Sequence, residues 1–415
     1  MLLSKFLEPF VRSGELTVID PSGARTQFGR RDDATPEDEP PVVIRIADRM
    51  TGFKLGLNPG LYAGEAYMNG TLTIERGTIY DLLALVTRNM GIAVQGGAFD
   101  KWRHRLGPVL RPLQQLNSLA RSRRNVAHHY DLSRDLYRRF LDRDMQYSCA
   151  YFERPDMTLD EAQIAKKNHI AKKLLLRDGQ RVLDIGSGWG GLAITLARQA
   201  RVEVLGVTLS KEQLEYARIR AAEAGVANRV RFELADYREI KGPFDRVVSV
   251  GMFEHVGVPN YDTYFAKIRD LLAPDGVALV HSIGRADGPG VTNPWIRKYI
   301  FPGGYSPALS ETLPSIERTG MYVTDLEIWR LHYAETLRHW RQRFHAQRDE
   351  IAKIYDERFC RMFEFYLAGS ECAFRYQGHI IFQAQLSRSV SAVPATRAYL
   401  YDDGAKAAAG LARAS

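Results

Sequence analysis

The chain has 415 residues, 45% hydrophobic and 26% charged, which is the length of two or three globular domains, one large enough for a full α/β core. No apolar run approaches the ~18–20 residues of a membrane span, and no apolar segment with a small-residue cleavage site opens the chain. Three widely spaced cysteines (Cys149, Cys360, Cys372) argue against a disulfide scaffold and a zinc site, so a reducing, cytoplasmic setting and no bound metal are expected.

Residues 1–95 read as a small α+β domain. Gly14 to Asp20, a Pro21-Ser22-Gly23 turn and Ala24 to Phe28 give strand, turn and strand. A charged, proline-bearing loop follows from Arg30 to Pro41, then short strands at Val42 to Ile46 and Gly52 to Leu57. The run Gly64-Glu65-Ala66-Tyr67-Met68-Asn69-Gly70 leads into Thr71 to Ile74, and apolar positions 79, 82, 83, 85 and 86 predict a helix from Thr78 to Arg88.

Residues 96–124 form a basic connector. Lys101, Arg103, Arg105, Arg111, Arg121, Arg123 and Arg124 occur there without an acid between them, interleaved with Trp102 and leucines near helical spacing. Such a stretch suits an anionic membrane surface. It equally suits a solvated linker whose leucines dock on the next domain. No recognition motif accompanies the charge, so a nucleic-acid partner is not expected.

From residue 125 to 390 the pattern is that of a doubly wound α/β domain. Helices near Ser133–Leu141 and Thr158–Leu176 precede a first strand, Arg181 to Ile185. Strands at 202–208, 230–234, 244–250 and 277–283 alternate with helices near 189–200, 211–224 and 261–272. Late strands at Tyr322–Trp329 and His379–Ser387 flank a long helical stretch from Ala334 to about Leu367, and the alanine-rich end, 391–415, reads as a loose tail.

The most informative segment is Asp184-Ile185-Gly186-Ser187-Gly188-Trp189-Gly190-Gly191, where an apolar strand meets a glycine turn and then a helix. Glycines there let the backbone approach a ligand, and the helix aims its free N–H groups at it. Gly186, Gly188 and Gly191 also satisfy a dinucleotide fingerprint, which expects an acid at the end of the second strand. That strand instead ends in Thr208-Leu209-Ser210-Lys211. The acid is Asp184, before the turn, where it can meet the amino group of a sulfonium cofactor, and Asp236 closes the third strand, placed for an adenine amino group. This is the pattern of a class I S-adenosylmethionine methyltransferase, a Rossmann-like doubly wound sheet with an antiparallel last strand.

Four further runs carry reactive groups: Tyr147-Ser148-Cys149-Ala150-Tyr151-Phe152, Phe253-Glu254-His255, His281-Ser282-Ile283-Gly284 and His332-Tyr333-Ala334. Strand carboxyl ends line the ligand crevice of an open parallel sheet, so Glu254 and His281 are expected near a cofactor methyl. Capping and packing compete as roles for His255 and His332, and Tyr151, Phe152 and Phe253 are either pocket walls or core.

Together with Asn125 to Ser133 and Val207-Thr208-Leu209-Ser210, these runs resemble the cyclopropane-fatty-acyl-phospholipid synthase family, which includes the mycolic acid cyclopropane synthases. The likeness runs to about Arg388, and Gly64 to Gly70 is similar to the lipid-handling extension of the bacterial phospholipid enzymes. Ser187 stands where many relatives have cysteine. The resemblance implies that Tyr147, Ser148, Gly186, Gly188, Thr208, Leu209, Gln213 and Tyr237 contact S-adenosylmethionine, with Gly190 in the same turn. It also implies that Cys149, Glu254, His281, the Ile283 backbone and Tyr333 hold a bicarbonate ion. The expected reaction adds a methylene across a cis double bond of a phospholipid acyl chain, at the inner face of a membrane. The alternative is methylation of an acyl chain or small amine without ring closure. A homodimer is a further family expectation.

Overall fold

The computed structural model describes residues 7–94 and 133–401; the connector at 96–124, the start of the Asn125 run and the last fourteen residues lie outside them. Near the N-terminus, β1 (Leu16–Ile19) and β2 (Arg25–Phe28) form the expected hairpin. With β3 (Val42–Ile46) and β4 (Leu72–Arg76) they make a four-stranded sheet of order β2-β1-β3-β4. Leu16, Val18, Ile44 and Ile46 on this sheet bury against Leu82 and Leu85 of a helix running from Ile79 to Val94, longer than the predicted one.

Two segments here differ from expectation. Gly52 to Leu57 is not a strand but part of α1 (Arg49–Leu57), started by Asp48, whose carboxylate accepts the Thr51 N–H at 2.8 Å. The alternation of Phe53, Leu55 and Leu57 imitates a strand, but the cap commits the backbone to a helix. The glycine-bearing run that follows is α2 (Pro59–Met68). Gly60 and Gly64 lower its helix propensity, and packing overrides them: a Cβ on Gly64 would meet the Trp295 indole at 2.4 Å.

The α/β domain follows the predicted order closely. A seven-stranded sheet runs β10-β11-β9-β8-β5-β6-β7. Its strands are β5 (Arg181–Ile185), β6 (Glu203–Thr208), β7 (Val230–Leu234), β8 (Phe244–Val250), β9 (Leu272–Arg285), β10 (Tyr322–Trp329) and β11 (His379–Ser387). The first five are mutually parallel, and β11 inserts antiparallel between β9 and β10, as the class predicts. Helices at Leu159–Leu174, Gly191–Gln199, Lys211–Glu223 and Tyr261–Leu271 cover the faces. Short helices at Pro294–Tyr299 and Leu309–Glu317 were not foreseen.

The long late helix is three pieces, His332–Ala346, Arg348–Ile354 and Glu357–Tyr376, broken at Gln347 and at Asp356, which caps the last piece by accepting the Phe359 N–H at 2.6 Å. This last helix ties the two units together. Ala368 enters the N-terminal core, and Glu364 accepts the Tyr67 hydroxyl at 3.1 Å. The tail is ordered further than expected: Arg397–Leu400 forms a short 3-10 turn, Leu400 is buried, and Arg397 pairs with the buried Asp325. Among the described residues no helix is long and apolar enough to cross a membrane, and no cluster of His, Cys, Asp and Glu has the makings of a metal site.

Candidate active site

One cavity opens at the carboxyl ends of β5, β6, β7 and β8. Its wall contains Tyr147, Ser148, Asp184, Gly186, Gly188, Thr208, Leu209, Gln213, Asp236 and Tyr237. Gly188 carries φ +51°, and a Cβ there would meet nothing within 4 Å, so the backbone faces open space where a ligand can lie against it. Gly190 is different. It also has positive φ, but a Cβ would strike Phe232 at 2.8 Å and Ala217 at 2.9 Å, so it serves the close packing of the turn and is not part of the cavity wall.

Asp184 sits at the cavity floor, buried, and its Oδ2 has no hydrogen-bond partner among the described residues. Burial pushes its carboxyl up to about 7, with the Lys166 charge opposing only in part. An unpaired carboxylate costs free energy until a cation meets it. Together with the open face at Gly188, that buried, unpaired oxygen fits the cationic amino acid end of a sulfonium cofactor. Thr208 donates its hydroxyl to Gln213 at 2.8 Å, holding both on the opposite wall. Asp236 lines the cavity as expected, but Arg238 already engages it at 2.8 and 2.7 Å, so any ligand amino group there would have to share that carboxylate with a guanidinium.

Lys166 was not picked out by sequence reasoning. It is 1% exposed, lies on the 159–174 helix and donates to Gln146 Oε1 and to Ser148 Oγ, both at 2.8 Å. Burial depresses its ammonium to about 8. Its neighbour on the same helix, Gln163, donates to the Ser148 carbonyl at 2.9 Å, so this helix pins the 146–148 loop against the cavity. His255 also lines the cavity, held neutral by burial, which pushes it down to about 4. A spacing rule has no purchase on a lysine whose meaning depends on burial.

The five residues expected to hold an anion divide into two linked groups outside that wall. Glu254 follows the Gly251-Met252 lining and its Oε1 accepts the Ile283 N–H at 2.6 Å. His281, two residues before Ile283 on β9, accepts the Gly251 N–H through its carbonyl at 2.9 Å, while its Nδ1 meets Gln383 at 3.1 Å. Glu254 Oε2 and His281 Nε2 are both buried without a partner among the described residues. Burial raises the Glu254 carboxyl to about 7, against the Ile283 N–H and the Ser282 hydroxyl. It also holds His281 neutral, well below the usual imidazole range, aided by the Lys166 and Lys173 charges. Cys149 and Tyr333 belong with Ile283 to one apolar cluster, where Tyr333 packs on Trp340 and Phe374. The Cys149 thiol donates to the Ala150 carbonyl at 3.2 Å, and burial pushes it far above the usual thiol range.

The remaining candidates separate. Phe253 is core, ringed by Tyr261, Tyr264 and Phe265 and fully buried. Tyr151 stacks on Trp329 and His332, and His332 Nδ1 accepts the Phe152 N–H at 3.0 Å, so His332 has a packing role.

With this geometry in view, the comparisons with known proteins are decisive. Residues 117–384 match the family described as mycolic acid cyclopropane synthetase. The chain belongs to that family. It is 41% identical over 343 residues to the cyclopropane-fatty-acyl-phospholipid synthase of Escherichia coli K12, covering 81% of this chain and 86% of that protein. It is 39% identical over 334 residues to a tuberculostearic acid methyltransferase of Mycobacterium tuberculosis, covering 75% of each. A solved mycolic acid cyclopropane synthase in complex with SAH and CTAB superposes with a TM-score of 0.61 at 34% identity, over 65% of this chain and 99% of that one. The mycolic acid cyclopropane synthetase family is one of S-adenosylmethionine-dependent methyltransferases.

Proposed function

We propose that this protein is a cyclopropane-fatty-acyl-phospholipid synthase, acting on the cis double bond of an unsaturated phospholipid acyl chain with bicarbonate as base. The observation that carries the reading is the pair of buried atoms Glu254 Oε2 and His281 Nε2, each without a partner among the described residues, on the 253–255 turn that follows β8 and on the neighbouring strand β9, which the Ile283 N–H ties to Glu254. A buried acceptor and a buried imidazole nitrogen without partners are costly in an apolar wall, and a small hydrogen-bonding ion satisfies both.

S-adenosylmethionine supplies an electrophilic methyl, and bicarbonate supplies a base for a proton of the transferred carbon. The chain's own residues do the rest. Asp184 would hold the cofactor's amino group as a carboxylate, and Gly188, with no side chain, would let the backbone approach it closely. The Glu254 carboxylate, anchored on the Ile283 N–H, offers its second oxygen as an acceptor, which fixes how a hydrogen-bearing anion is turned. Neutral His281 offers one nitrogen, its tautomer set by Gln383. Aromatic and aliphatic side chains around Cys149, Tyr333 and Ile283 exclude water that would quench a developing carbocation, and ring faces stabilise positive charge.

Methyl transfer without ring closure is the second reading, favoured by the likeness to the tuberculostearic acid methyltransferase. The test is incubation of the purified protein with S-adenosylmethionine and vesicles of unsaturated phospholipid, with and without bicarbonate, followed by proton NMR of the released chains. Shielded ring protons that depend on bicarbonate are expected. A branched or methylene-bearing chain without them overturns ring closure, and no transfer at all overturns the reading.

A further inference from the structure

Helix α1 buries the wrong part of itself for an ordinary surface helix. Thr51, Gly52 and Leu55 face the N-terminal sheet, whereas Met50, Phe53 and Leu57 are 60%, 53% and 65% exposed. At 100° per residue these three fall on one continuous arc, bounded on one side by Arg49 and on the other by Lys54, both exposed. The helix contains no acidic residue, and Asp48 just before it is occupied as the cap. Single exposed apolar residues are normal, but three large ones on one stripe, flanked by cations, have the layout of a helix that lies in a membrane interface.

The stripe is also mechanically joined to the cofactor cavity. Helix α2 follows α1 directly, and Met68 Sδ accepts the Trp295 indole N–H at 3.2 Å. Glu65 takes Lys298 at 2.7 Å and the Tyr299 hydroxyl at 2.9 Å, both on the 294–299 helix. That helix runs into Pro302 and Gly303, which line the cavity. A surface that seats on lipid through α1 therefore fixes the cavity wall relative to that lipid.

We propose that the Met50–Phe53–Leu57 stripe, with Arg49 and Lys54, is the element by which this protein docks on an anionic phospholipid bilayer. The inference rests on the phospholipid-substrate reading for its occupant, and charge complementarity selects the occupant over a neutral apolar surface.

The test uses the full chain and two variants, one carrying Met50→Ser, Phe53→Ser and Leu57→Ser, the other Arg49→Gln and Lys54→Gln. Both change exposed side chains, and unchanged melting temperatures confirm the fold. Co-sedimentation with vesicles of unsaturated phosphatidylglycerol and phosphatidylcholine is read beside turnover on the same lipids dispersed in detergent micelles. The apolar variant is expected to lose at least about tenfold in vesicle affinity, and the charge variant a few-fold, lost again for the parent protein at high salt. Micelle turnover stays unchanged in both. Vesicle binding that survives the triple substitution overturns the proposal. So does a shift from dimer to monomer on sedimentation of the triple variant, which would make the stripe an interface between copies of the chain. Absence of methyl transfer to micellar lipid by the parent protein counts against the substrate reading instead, because vesicle binding is measured without turnover.

Discussion

Substituting Glu254→Gln separates catalysis from stability in opposite directions. The side chain is buried, one oxygen is held by the Ile283 N–H, and burial raises the carboxyl from 4.5 to about 7. A folded-state value above the unfolded one means the group's contribution to stability is full below about 4.5 and is lost as pH rises through about 7. Above that pH the ionised group burdens the ligand-free fold by about 3 kcal/mol. Glutamine keeps the shape and the bond to Ile283 while removing the charge. The variant should melt higher than the parent at pH 8, by roughly 8 °C for a domain of this size, and nearly together with it at pH 5. Its amide nitrogen donates where Oε2 accepted, so product formation should fall about 10²- to 10⁴-fold. Calorimetric titration with S-adenosylhomocysteine should show little change, since Glu254 is not in the cofactor cavity wall. A variant less stable than the parent at pH 8, or one that loses cofactor affinity in step with turnover, refutes this account.

Asp184→Asn should weaken cofactor binding at least tenfold. It should also abolish the rise in affinity expected for the parent as pH climbs from 5.5 through about 7, where Asp184 ionises, both read by titration across that range. Lys166→Met should lower cofactor affinity by loosening Gln146 and Ser148, without lowering the melting temperature at pH 7, because it removes a charge whose burial disfavours it. Cys149 should resist iodoacetamide at pH 8 in the folded protein, since its buried thiol stays protonated; rapid alkylation seen by mass spectrometry would contradict that. Asp48→Ala should cost about 1 kcal/mol in urea unfolding through the lost cap of α1.

What the sequence disclosed depended on whether local pattern or distant packing decided the structure. Strands such as β5 and β8 were legible because each is a short apolar run bounded by a turn and buried on both faces. The glycine turn was legible because its function needs backbone freedom in a fixed order. Helix α2 was not, since its stability comes from Trp295, more than two hundred residues away. Helix α1 was misread for a related reason: Met50, Phe53 and Leu57 face outward and only Leu55 inward among its large apolar residues, so burial periodicity carried no helical signal. Gly190 was grouped with the ligand glycines because the sequence cannot tell a close approach to Phe232 from a close approach to a cofactor. The ordered turn at Arg397 was hidden in an alanine-rich tail, because its anchors lie far away in sequence: Asp325 pairs with Arg397, Gln385 meets Tyr399, and Lys172 donates to the Leu400 carbonyl.

The titratable groups around the cavity share one electrostatic logic. Asp184 and Glu254 are each pushed up to about 7, Lys166 is pushed down to about 8, and His255 and His281 are held neutral, all by burial first. Asp184, Glu254 and Lys166 are thus poised near the point where a single nearby charge decides their state, while the two histidines stay neutral. A cation at Asp184 draws that carboxylate into ionisation. On the proposed reading, a hydrogen-bonding anion near Glu254 and His281 would meet a carboxyl that burial holds close to its neutral form and a neutral imidazole. The same dry surroundings that make these groups costly when empty keep water from a cationic centre once the site is filled. That arrangement suits chemistry in which a cofactor brings the positive charge and the protein must not compete for it. It fits an alkene substrate better than an amine, whose methylation generates no carbocation and needs no such exclusion.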